Sequence, residues 1–106
     1  MRQIITQKTN HPTQAIHGWL VYTAGDSGIH PRYLSLYEAA CEKRGMSVAY
    51  CLYDPGLLSD EAAAGRLREM LTADAPAFVI NRTRDYRLAE FLEAEGIRVY
   101  NSSKAA

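Results

Sequence analysis

Neither sign of charge is in excess in this chain: twelve Lys and Arg balance twelve Asp and Glu over 106 residues. No net field therefore draws it to nucleic acid or to an anionic membrane. Apolar runs are short, and none approaches the roughly 18 residues of a membrane span. The amino-terminal stretch MRQIITQKTNHPTQ lacks the continuous apolar core of a signal peptide. A cytoplasmic protein that binds neither nucleic acid nor membrane is the expectation. Cysteine is scarce as well. Cys41 and Cys51 are too few and too far apart for a zinc knuckle or a redox CxxC pair, and both fall in apolar patterns that suit core thiols. The two N-x-S/T matches, at Asn81 and Asn101, carry no weight without a secretory signal. Neither G-x-G-x-x-G nor G-x-x-x-x-G-K occurs, and there is no internal repeat, heptad run or low-complexity tract.

What is present is an ordinary globular composition, 47% hydrophobic and 23% charged. A chain of this length forms one domain that buries roughly 60 to 70% of the surface its unfolded form exposes. Residues 1–17 are polar and broken by Pro12, with one β-branched run at Ile4-Ile5-Thr6; they read as a loose arm or an added edge strand, leaving 18–106 as the domain. Gly18 to Ala24 is a compact apolar strand that runs into the small-residue loop Gly25-Asp26-Ser27-Gly28. Pro31 fits a first helical position, Tyr33, Leu34, Leu36, Tyr37, Ala40 and Cys41 recur at helical spacing, and Gly45 closes the helix.

A second strand spans Met46 to Tyr53 and ends at Asp54-Pro55-Gly56. Ser59 and Asp60 can cap a second helix, whose apolar face is Ala63, Leu67, Met70 and Leu71. A third strand, Ala77 to Ile80, breaks at Asn81-Arg82. It leads to a helix with Leu88, Phe91 and Leu92 inward and Arg87, Glu90, Glu93 and Glu95 outward; Gly96 then precedes a last strand ending at Asn101-Ser102. Strands alternating with helices on short connections predict a three-layer, Rossmann-like parallel sheet of about four strands in the order 2-1-3-4, with helices on both faces.

Ligands in such sheets collect at the carboxyl edge. Arg82 and Arg84 follow the third strand there, and a guanidinium binds carboxylate or phosphate by two parallel hydrogen bonds. The same arginines can equally be solvated, or paired with Asp85 or a helix acid. In the 25–28 loop Asp26 opposes a phosphate and better suits an amine; the loop also reads as a simple turn. His11, His17 and His30 do not share a helical face, and no nucleophile with a neighbouring base or pair of carboxylates stands out.

The stretch VINRTRDYRLAEFLEAEGIRVYNSS resembles the end of the amino-terminal domain of ATP-grasp carboxylate–amine ligases, of the ribosomal-protein glutamate ligase (RimK), lysine-biosynthesis and glutathione synthetase kinds. The matching positions are Val79, Ile80 and Arg82, then Leu88 and Leu92, then Gly96, then Asn101 and Ser102. The resemblance implies a pre-ATP-grasp domain that forms one wall of a substrate cleft. The parent enzyme would use ATP and Mg2+ to join a small-molecule or peptide carboxylate to an amine through an acyl phosphate. It further implies that Arg82 lines that cleft, that Asn101 and Ser102 form the junction to absent ATP-grasp domains, and that this chain alone neither catalyses nor holds a cofactor. Arg84 and Asp26 are added as cleft candidates by position. The arm and the second helix depart from the family pattern. Two other readings stand beside it: a free-standing Rossmann- or flavodoxin-like module that binds a small anion or a partner protein, and a homodimer formed through an exposed edge strand.

Overall fold

The computed structural model describes residues 3–9, 16–25 and 31–100. Among these the chain forms β1 (Ile5–Gln7), β2 (Ile16–Thr23), α1 (Pro31–Glu42), β3 (Met46–Tyr53), a 3-10 turn (Pro55–Leu57), α2 (Glu61–Ala73), β4 (Phe78–Asn81), α3 (Tyr86–Ala94) and β5 (Arg98–Tyr100). The strands make one mixed, mostly parallel sheet in the order β1-β3-β2-β4-β5. Count and order thus differ from the expected four strands in the order 2-1-3-4. The difference is β1, which lies antiparallel on the outer edge of β3, with Ile5 opposite Tyr53. Beyond it the parallel strands run β3-β2-β4-β5. Of the two alternatives for the amino-terminal arm, residues 5–7 take the edge strand. The reason is apolar: Ile4 and Ile5 are both 1% exposed, packed with Tyr53 and the α2 side chains.

Alternation along each strand sorts the core into two layers. Trp19 and Val21 of β2, Cys51 of β3 and Val79 of β4 face α2 and α3, meeting Leu67, Leu71, Leu88 and Leu92. Leu20 and Val48 face the other way, toward Cys41 of α1. The α2–α3 layer is closed by good helix starts. Asp60 caps α2 by accepting hydrogen bonds from the Ala62 and Ala63 amides, at 2.9 and 3.2 Å, and Glu61 occupies the first turn, where the dipole favours an acid. At the other end of α3, Gly96 takes φ 83, a left-handed conformation that a side chain would strain.

The α1 layer is thinner than its periodicity predicts. Only Cys41 of α1 is buried; Leu34 and Tyr37 are half-buried, while Tyr33 and Leu36 are 59% and 57% exposed. One helix covers β3 and β2 on this side, and over β4 and β5 the cover is aromatic. The Phe78 ring lies across Gly18, where a Cβ would collide with it, and meets Tyr100 edge to face at 6.3 Å. Among the described residues no helix is long and apolar enough to cross a membrane.

Candidate functional site at the carboxyl edge

From the end of β2 the chain crosses one face of the sheet through α1 to reach β3. From β3 it crosses the opposite face through α2 to reach β4, on the other side of β2. The connections after β2 and β4 therefore diverge, and the carboxyl ends of these two strands form the switch point at which open α/β sheets bind ligands. Arg82 leaves β4 at this point: its amide donates to the Val21 carbonyl at 2.9 Å. The hydroxyl of Thr23, the last residue of β2, reaches the Thr83 carbonyl at 3.5 Å.

The segment Asn81-Arg82-Thr83-Arg84-Asp85 is built on alternation. Asn81 is a buried polar residue, 4% exposed, and its side-chain oxygen accepts from the Thr83 amide at 3.1 Å and the Thr83 hydroxyl at 2.6 Å. The Thr83 oxygen in turn accepts from the Asp85 amide at 3.1 Å, and the Asn81 amide group donates to the Asp85 carbonyl at 3.4 Å. Asp85 then caps α3, accepting from the Arg87 amide at 3.0 Å. The same carboxylate takes a fork from the Arg87 guanidinium, Nε at 3.0 Å and Nη2 at 2.9 Å, and a 2.7 Å bond from the hydroxyl of Tyr53. Tyr53 ends β3, is fully buried, and reaches the β4–α3 segment past β2. Residues 81, 83 and 85 are thus consumed within the fold.

Arg82 and Arg84 are the residues left over. Both are exposed, and neither side chain has a hydrogen-bond or ion-pair partner among the described residues. Arg84 sits at φ 64, the left-handed region that a non-glycine residue enters at a cost of about 1 kcal/mol. Neither arginine pairs with Asp85, which is held by Arg87 instead. Arg87 does face water, as its helical position predicts, at 54% exposure, while its guanidinium folds back on the cap.

The electrostatics of the network favour holding over proton transfer. Arg87's hydrogen bonds, supported by those of Tyr53 and the Arg87 amide, lower the Asp85 carboxyl to about 2 against the desolvation that opposes them. Burial first, and the adjoining Asp85 carboxylate second, push the Tyr53 phenol above its ordinary range. Neither group changes charge near neutrality, as a general acid or base does. Burial likewise pushes the Cys51 thiol up to about 12, which leaves it an inert core group; Cys41 is also buried and free.

Asp26, Asn101 and Ser102, expected at the cleft and at a domain junction, lie outside the described residues, as do His11 and His30. His17 is on β2 at the far end of the sheet, with Nε2 3.7 Å from Asp74 Oδ1. Among the described residues no group of three or more His, Cys, Asp or Glu side chains could hold a metal ion. Reading the sequence for charge singles out Arg82 and Arg84 but misses the residues that present them: Asn81, Thr83, Asp85 and, from a distant strand, Tyr53. The N-x-T-x-D spacing between an apolar strand and an amphipathic helix is the local signal for the first three, since Asn, Thr and Asp side chains all bond backbone amides one or two residues away.

No family model, curated protein or solved structure matches this chain.

Proposed function

We propose that this chain is the substrate-side domain of an ATP-grasp carboxylate–amine ligase, a Rossmann-like sheet of the pre-ATP-grasp type lining one wall of the cleft. Arg82 and Arg84 receive the anionic part of the substrate there. The observation that carries this reading is the division of labour in residues 81–85. Three residues are tied into the fold by their own hydrogen bonds, and two guanidinium groups are left facing solvent at the switch point. A preformed loop of this kind holds a carboxylate or acyl phosphate without ordering the backbone on binding, which is where much of the cost of recognition otherwise falls. Asp26, placed by its position and charge in the 25–28 loop, adds a carboxylate for an amine, and Asn101 and Ser102 lead into the ATP-binding domains, an assignment that rests on the sequence resemblance.

ATP and Mg2+ belong, on this reading, to the other domains of the parent. The described residues of this chain do not suit them, having neither a metal-binding cluster nor a phosphate loop, so no chemical step is assigned to them. Their task is to bind and orient.

One observation favours a second reading, a self-sufficient module that binds a small anion or a partner protein through the same edge. The core is complete enough to give a radius of gyration of 13.0 Å, that of an independent domain of this size. The size of the native gene product, measured by blotting source cells with an antibody to this domain, separates the two. A band of about 30 kDa or more, three domains of about 100 residues each, is expected for the ligase. A band at 11.8 kDa refutes it and leaves the self-sufficient module.

A further inference from the structure

The sheet face that carries α1 is left half bare. On this side β4 bears Phe78 and Ile80, which pack on the cluster of Leu20, Cys41 and Val48. Register and alternation set Arg98 and Tyr100 of β5 beside them. Helices α2 and α3 belong to the opposite layer and α1 lies on β3, so among the described residues no helix covers β4 and β5 here. The result is an apolar floor open to solvent. Phe78 and Ile80 are half-buried, Tyr100 is 51% exposed, and Ile16, on the same face of β2 as Leu20, is 51% exposed. Two strands span about 10 Å, which is the width of one helix.

The flank of α1 forms the wall beside this floor. Tyr33, Leu36, Tyr37 and Ala40 stand at i, i+3, i+4 and i+7, which is one stripe of the helix. Tyr37 packs in the same cluster as Phe78 and Ile80, so the stripe looks toward β4 and away from β1. Leu36 and Ala40 of that stripe are exposed. A helical ridge with an apolar flank thus adjoins a hollow one helix wide, and such a step is complementary to itself. A two-fold axis parallel to the strands lays the ridge of each copy in the hollow of the other and sets the two stripes side by side between two sheets. Ile16, Leu36 and Tyr100, with the uncovered parts of Tyr37, Phe78 and Ile80, offer roughly 400 Å2 of apolar surface, the size of patch that marks an interaction site. At the apolar share of homodimer interfaces this corresponds to roughly 1,200 Å2 over both copies, the lower end of what a specific pair needs. Arg98, on the edge strand, has its guanidinium 5.7 Å from the centre of the Tyr100 ring, at the rim of the floor.

We infer that this face is a dimer interface whose occupant is a second copy of the chain, with the α1 ridge of each copy seated on β4 and β5 of the other. The pairing is face to face and distinct from strand-to-strand pairing along the edge of β5. An axis parallel to the strands leaves the carboxyl edges of both copies open at the same end, so the interface is independent of the function proposed for Arg82 and Arg84.

The test is sedimentation equilibrium of the 106-residue chain from about 5 to 500 μM, a range that brackets the weak affinity an interface at the low end of the size range gives. The mean mass is expected to rise from 11.8 kDa toward twice that value, with a Kd on the order of 10 to 100 μM. Leu36→Glu and Ala40→Glu each place a charge on the ridge at an exposed helical position, and each should weaken the dimer at least about tenfold. Tyr86→Glu changes a side chain of like exposure, 54%, on α3 in the opposite layer and should leave the Kd unchanged. Fluorescence of the buried Trp19 verifies that each variant is folded, and if one ridge variant is not, the other decides. A mass constant at 11.8 kDa over the whole range overturns the inference. So does a dimer that the ridge variants leave intact, since the copies would then meet along the β5 edge or elsewhere, and so does one that Tyr86→Glu weakens as much as they do.

Discussion

The bond between Tyr53 and Asp85 should couple two residues 32 positions apart in sequence, and a double-mutant cycle measures that coupling directly. Asp85→Ala removes the α3 cap, a loss of about 1 kcal/mol. It also leaves the fully buried Tyr53 hydroxyl without its acceptor, a further 1 to 3 kcal/mol or so. The single variant should therefore lose about 2 to 4 kcal/mol. Tyr53→Phe alone removes one bond to a charged acceptor, worth about 1.5 kcal/mol, since Arg87 and its amide still satisfy the carboxylate. In the Asp85→Ala background the same Tyr53→Phe change takes away a hydroxyl that has lost its acceptor, so it should cost nothing or restore stability. The predicted coupling is thus at least about 1.5 kcal/mol. Urea unfolding followed by the single tryptophan, Trp19, which is 2% exposed in the core, reports it. With a slope near 1 kcal/mol/M the Tyr53→Phe midpoint should fall by roughly 1.5 M in the parent chain and not at all in the alanine background. Effects that add to within about 0.5 kcal/mol would refute the reasoning, because the hydroxyl would then be satisfied by something other than Asp85.

Three further outcomes are expected. Because the Asp85 carboxyl lies at about 2 in the folded chain and near 3.9 when unfolded, its contribution is present above about pH 4 and is lost as pH falls toward 2; screening of the half-exposed Arg87 partner reduces it to about 1 kcal/mol, and urea midpoints compared between pH 5 and 2.5 should fall by less in Asp85→Asn than in the parent. Arg82→Ala should alter stability by no more than about 0.5 kcal/mol, and Arg84→Gly, which relieves the left-handed residue, should leave it unchanged or raise it by up to about 1 kcal/mol; thermal unfolding showing a loss of several kcal/mol in either would mean that the side chain is structural and not available to a ligand. Gly18→Ala should destabilise by about 1 to 3 kcal/mol by driving the Phe78 ring off β2, and Phe78→Leu in the same chain should recover much of the loss; a neutral Gly18→Ala would show that the ring is not seated there.

Periodicity made α2 and α3 legible because their apolar stripes are buried where the spacing puts them: Leu67 and Leu71, then Leu88 and Leu92. For α1 the same signal misleads. Tyr33 and Leu36 recur at helical spacing, yet a helix that covers only part of one sheet face leaves them exposed, and periodicity says nothing about how much surface lies opposite. β1 is too short for alternation to declare it, and its partner is fixed by the burial of Ile4 and Ile5. At the carboxyl edge, charge and position suffice to pick out Arg82 and Arg84. The Tyr53–Asp85 bond has no local signal, since it depends on β3 and β4 ending at the same edge on either side of β2.

The placement of β1 has a consequence in time. Its partners, Cys51 to Tyr53, follow it in the chain by 44 to 48 residues, so this strand has nothing to pair with until β3 exists and has found β2. It should dock last during folding and release first from the folded state, exchanging its amide hydrogens well before those of β2. The β1 edge of the sheet is then a latch over α2, opening and closing on its own clock while the parallel strands stay shut.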